Sequence, residues 1–166
     1  MLGTDEQATS FVRPLVESGA KGAIAWSEPK PRPGTFATRA EQSSDSTWRI
    51  TGSKCGIVCG DQAEALIVFA RARFFTGVER PAAFVVRPSD ARGSMQLRFG
   101  PRRRSLGLDA APVVDLVLED VVVPDTHRLA RDDASFPTAV VEMFLRIGIV
   151  GAARSVGLAT AAFDYA

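Results

Sequence analysis

The feature that most constrains this chain is a change in the spacing of its apolar residues. Between residues 21 and 123 they fall into seven short runs, 22–27, 35–41, 48–51, 64–73, 82–87, 95–99 and 112–123, rich in Val, Ile, Phe and Ala and separated by Gly, Pro, Ser and Asp clusters. Runs of that length and spacing predict strands joined by turns, and seven of them predict an antiparallel sandwich or barrel. The run EALIVFARAR is apolar through its middle, as a strand covered on both faces is, whereas FATRAEQ and TWRITG alternate as half-buried strands do.

The flanks follow a different rule. Thr4, followed by Asp5 and Glu6 and with Gln7 three positions on, is a capping box at a helix start. Pro14 is expected to break that helix, and Gly19 to end a second turn in the left-handed conformation. After Pro124 the pattern becomes helical again: Asp132, Asp133 and Ser135 are capping residues, Pro137 sits near the first helical position, and no proline follows to Ala166. A helix of roughly 28 residues is predicted there. Gly148, Ala152, Ser155, Ala159, Ala162 and Ala166 line one side of it, which either admits a close helical neighbour or reflects alanine's helix propensity. Its apolar Val140, Phe144, Ile147, Val150 and Phe163 need cover. The fold class expected is therefore mixed α and β: a β-barrel or sandwich with a short N-terminal helix and a long C-terminal one.

Composition narrows the function classes. At 166 residues one core is expected, since a chain of that size buries roughly 68–70 % of its unfolded surface. Twenty basic and 19 acidic side chains leave a net charge of +1, which gives no field to recruit nucleic acid or an anionic membrane. Glu142, Arg146, Arg154 and Asp164 interrupt the most apolar region, so no membrane span is expected. MLGTDEQATS has neither a basic nor an apolar leader segment, so a cytoplasmic location is expected. Cys55 and Cys59 read as small buried hydrophobes, and no cluster completes a metal site. His127, the one histidine, reads as a solvated loop residue. Arg102, Arg103 and Arg104 form either a solvated turn or a phosphate contact. Neither a phosphate-binding glycine loop nor a hydrolase elbow is present.

Four segments carry a resemblance to a known family. GTDEQATSFVRPLVESGAKGAIAWSEP resembles the junction of the N-terminal helical domain and middle β-domain of acyl-CoA dehydrogenases, and WRITGSKCGIVCGDQAEALIVFARA resembles their inner strands with a Gly-x-Lys turn. LVLEDVVVPDTHRLA is similar to the closing strand, and IVGAARSVGLATAAFDYA to the first long helix of the C-terminal domain. The resemblance implies three parts: residues 1–20 as the tail of an N-terminal helical domain, 21–130 as the middle β-domain, and 131–166 as the first helix of a truncated C-terminal domain. It also implies an oxidoreductase of fatty-acid metabolism. In the family an acyl-CoA thioester lies between a glutamate base and the flavin of FAD; the base removes an α-proton and the flavin accepts a hydride from the β-carbon.

Carried over residue by residue, the implied flavin contacts are Trp26, Ser27, Gly34, Thr35, Gly56 and Val58. Ser27 stands at a threonine position and keeps the hydroxyl, while Gly34 and Thr35 stand in for a Gly-Ser pair. Gly56, Ile57 and Val58 replace Trp-Ile-Thr, which removes a stacking aromatic and a hydroxyl and is expected to weaken FAD binding. Trp26 is either a substitute stacking ring or a core tryptophan. Glu142 is a candidate base or a solvated helix residue; aligned to the family helix it falls about 140° from the required face. Low activity alone is expected, with homo- or hetero-oligomerisation through the C-terminal helix, and the alternative role is a non-catalytic subunit completing a fuller homologue.

Overall fold

In a computed structural model, residues 3–31, 35–43, 46–91, 96–130 and 135–166 are described. The chain forms two units, Gly3–Leu129 and Ala130–Ala166.

The first unit opens with the expected capping box. Thr4 Oγ1 accepts the Gln7 amide at 3.2 Å, and the Thr4 amide donates to Gln7 Oε1 at 3.0 Å, starting α1 (Asp5–Gln7). Pro14 does not break the helical path. A π-helical turn, Ala8–Val12, runs directly into α2, Arg13–Ser18, which ends at Gly19 with φ of 67°. Pro14 has no N–H for the Ser10 carbonyl, and the Arg87 guanidinium, distant in sequence, donates to that carbonyl at 2.5 Å.

Eight strands follow among the described residues: β1 (Lys21–Ala25), β2 (Arg39–Gln42), β3 (Thr47–Val58), β4 (Ala63–Arg73), β5 (Glu79–Val86), β6 (Leu97–Phe99), β7 (Val113–Pro124) and β8 (Arg128–Leu129). They form one sheet ordered β6-β7-β3-β2-β4-β5-β8, with β1 also on β4. The expectation of an antiparallel barrel or sandwich is corrected to an open, mixed sheet. β3 runs antiparallel to β2 and β4 reverses once more, so β2 meets β4 in parallel; β1 also pairs with β4 in parallel. The ends of the order, β6 and β8, are not paired to each other, so the sheet is not closed.

Burial follows the predicted alternation where strands are regular. Trp48 and Ile50 on β3, Leu66 and Val68 on β4, Phe84 on β5 and Leu116 on β7 are fully buried. Trp48 packs edge-on against Phe74 at 5.0 Å, and its indole N–H donates to Asp125 Oδ1 at 2.8 Å. His127, expected in solvent, is half-buried: its Nδ1 lies 2.9 Å from the Val85 carbonyl and its ring meets Phe11 edge-on at 4.8 Å. Burial pushes its pKa down, with the Val85 hydrogen bond opposing. It joins the N-terminal helical segment to the sheet. Cys55 and Cys59 are half-buried and unpaired, not fully buried: Cys55 sits at the register shift of β3 and Cys59 just past the end of that strand, at φ of 54°.

The second unit is α3, Ser135–Tyr165, 31 residues long. The proposed caps Asp132 and Asp133 lie outside the described residues. Val141, Leu145, Ile149, Val156, Leu158 and Phe163 are all exposed along it. By length and composition Phe136–Tyr165 is apolar enough to cross a membrane, contrary to the expectation from its charge spacing. Arg146 and Arg154 lie within that segment.

Candidate functional site

The chain leaves the sheet between β1 and β2 and returns across the second half of β3. Ser27, Glu28, Ala37 and Thr38 mark that crossing. The Cys55 amide donates to the Ser27 carbonyl at 2.9 Å, tying the segment after β1 to β3. Thr38 passes so close to Gly52 that a Cβ there would stand 2.7 Å from both Cα and Oγ1 of Thr38. Only glycine allows this approach.

An ion pair is buried beneath the crossing. Lys54 Nζ lies 2.9 Å from Glu28 Oε1, with side-chain exposures of 0 % and 4 %. Nζ also donates to the Trp26 carbonyl at 3.2 Å and sits 4.5 Å from the centre of the Phe36 ring. Glu28 accepts the Ala37 and Thr38 amides at 2.6 and 2.8 Å. Burial alone would raise the carboxyl pKa, but the hydrogen bonds from Thr38, Lys54 and Ala37 outweigh it and hold it at about 2. Burial lowers the Lys54 pKa, opposed by Glu28. The two groups are engaged with each other and with the backbone of the crossing, so the pair shapes that segment.

Glu28 and Lys54 stand inside the motifs of the family resemblance, which assigns neither a role. The signal was available. Trp48, Ile50 and Lys54 share one phase of a two-residue period, which turns Lys54 inward, and an inward lysine needs a carboxylate.

The positions named for a flavin distribute unevenly. Ser27 is exposed and lies beside Cys55 through the bond already described. Trp26 is half-buried, its ring edge-on to Phe36 at 5.0 Å and to Phe69 at 4.7 Å. Thr35 is half-buried, and Gly34 lies outside the described residues. Gly56 and Val58 are exposed on β3, and the expected Gly-x-Lys turn is replaced by continuous strand from Thr47 to Val58. The strand continues because Gly52, Ser53 and Lys54 pair with Leu118, Val117 and Leu116 of β7. Ser27 carries an exposed hydroxyl, but positions 56 and 58 offer a flavin ring neither an aromatic nor a hydroxyl and do not fit it.

Glu142 lies on α3, exposed, with Oε1 2.6 Å from the Arg146 guanidinium four residues on. That arginine holds its carboxyl below the usual range. Arg102 and Arg103 are exposed and paired with Asp61 at 2.6 Å and Asp115 at 2.7 Å. No group of three His, Cys, Asp or Glu among the described residues is arranged to hold a metal ion.

No family model matches the chain. The short-chain specific acyl-CoA dehydrogenase of Megasphaera elsdenii is 32 % identical over 166 residues, 97 % of this chain and 41 % of that protein. Among solved structures, butyryl-CoA dehydrogenase from Megasphaera elsdenii superposes with a TM-score of 0.69 at 29 % identity, covering 84 % of this chain and 36 % of that one. A glutaryl-CoA dehydrogenase from Mycobacterium smegmatis, in complex with FADH2, superposes with a TM-score of 0.63 at 25 % identity, over 76 % of this chain and 31 % of that one. The chain spans about two fifths of the length of the curated relatives it matches.

Proposed function

Because the chain belongs to the acyl-CoA dehydrogenase family, we propose that it supplies the β-domain of a FAD-dependent protein that dehydrogenates acyl-CoA thioesters between the α- and β-carbons. The observation that carries this reading is the continuity of the likeness, which covers 97 % of the chain in sequence and 84 % in fold. The chain's own contribution is a framework. Lys54 and Glu28 fix the crossing segment against β3, and Ser27 is presented beside that strand with its side chain exposed.

Activity of the chain alone is proposed to be low, because Gly56 and Val58 lack the side chains that the resemblance expects there and Glu142 is engaged by Arg146. A second reading is a non-catalytic subunit that completes an oligomer with a fuller homologue. The exposed apolar residues of α3 favour it, since side chains such as Leu145 and Ile149 gain about 1.5–3 kcal/mol each when fully covered.

The test is oxidation of acyl-CoA thioesters of graded chain length, with a dye as electron acceptor, by the chain alone and after co-expression with a fuller homologue. Negligible turnover alone and turnover dependent on the added chain are expected for the subunit reading. Full turnover by the chain alone would remove both the low-activity proposal and that second reading.

A further inference from the structure

Resting on the reading above, we infer that the backbone of β3 at position 56, as well as its missing side chain, disfavours an aromatic there, so that Gly56–Val58 does not hold a flavin ring. The register shows how. Lys54 pairs with Leu116 and Ile57 with Val114, so three steps on β3 match two on β7, and one residue is extra. Lys54 and Ile57 are nevertheless both fully buried. In an unbroken strand, residues three apart point to opposite faces; the extra residue is what returns Ile57 to the inner one.

Gly56 absorbs the extra residue with φ of 68°. Its amide donates to Asp115 Oδ1 at 3.0 Å, and Asp115 is tied in turn to Arg103 at 2.7 Å. Asp115 lies on β7 between Val114 and Leu116, so it caps the bulge from directly across the strand pair. A Cβ on Gly56 would meet nothing within 4 Å. Crowding therefore does not oppose a larger residue; backbone conformation does, because L side chains are strained at that φ, a strain this chain accepts at Cys59 and Leu108.

Neither anchor of the bulge is free to slide. Lys54 is held by Glu28, and Ile57 is wedged so tightly that a Cβ on Gly60 would stand 2.8 Å from Ile57 Cγ2 and 2.9 Å from Val114 Cγ2. An aromatic at position 56 would either carry that strain or unwind the bulge, and unwinding would turn Lys54 or Ile57 outward. Restoring the side chain therefore meets a backbone penalty as well.

The experiment uses the full chain, titrated with FAD while flavin fluorescence and absorbance are followed, with thermal melting of variants alongside. The wild-type chain is expected to leave added FAD free. Gly56→Asn, a residue that tolerates this φ, is expected to melt close to wild type, whereas Gly56→Trp/Val58→Thr melts several degrees lower and gains no flavin. Stoichiometric flavin on the wild-type chain would overturn the inference, whatever the fate of the variants. So would a Gly56→Trp/Val58→Thr protein that melts like wild type and takes up FAD. A chain that binds FAD yet does not oxidise acyl-CoA sinks this inference alone; the family-based function is judged by turnover with the fuller homologue.

Discussion

The two halves of β3 were built under different rules. From Thr47 to Thr51 the strand is flanked by β2 and β7 and buries Trp48 and Ile50 in strict alternation, its one irregularity the register shift after Ile50. From Gly52 to Val58 it carries two glycines, a buried lysine and a register shift, and the chain crossing it is held by Glu28 and the Ser27 carbonyl. Hydrophobic burial organises the first half and polar satisfaction the second. A region of the second kind has fewer substitutes, because each buried polar group must keep a particular partner.

Substitutions should separate the halves by size of effect. Gly52→Val drives a side chain into the Thr38 backbone and is expected to cost about 5 kcal/mol, read as loss of the folded protein or a steep fall in urea midpoint. Lys54→Met strands the buried Glu28 carboxylate and should cost about 4 kcal/mol, with Lys54→Met/Glu28→Gln recovering about half in a double-mutant cycle.

The same pair sets an acid limit. The Glu28 carboxyl is depressed from 4.5 to about 2, so its contribution is present in full above pH 4.5 and is lost as pH falls towards 2. Denaturation at stepped pH should show a fall of about 3 kcal/mol across that window, absent in Glu28→Gln. The smallest effect belongs to the first half. Trp48→Phe keeps most of the packing, loses the hydrogen bond to Asp125 and should cost about 2 kcal/mol. If it proved more damaging than Lys54→Met, the contrast between the halves would fail.

Those rules also explain what the sequence could reveal. Alternation made the regular strands visible: EALIVFARAR became β4 with its middle buried, as its composition requires. Gly-Ser-Lys-Cys-Gly looked like a turn because glycines punctuate chains, yet here they admit Thr38 and a bulge inside one strand. Only tertiary neighbours distinguish those uses. β8 is two residues long and leaves no periodic trace. The mixed direction of the sheet was hidden for a different reason. It depends on which edges β1 and β2 share with β4, and period reveals a strand's faces without naming its neighbours. At the candidate site, the exposed Ser27 was visible as a family position, while the Asp115 cap on Gly56 was not, since it joins residues 59 apart.

The shared edge of β4 has a consequence for synthesis. Lys21 pairs with Ala63, so β1 leaves the ribosome 42 residues before its partner begins to emerge. At about 5–20 residues per second that is roughly 2–8 s with a strand edge open, during which the helical segment before it and the antiparallel β2–β3 pair can fold locally. The unit closes late and from its middle outward, and a force-sensitive arrest sequence placed after β4 should register the event that one placed after β3 does not.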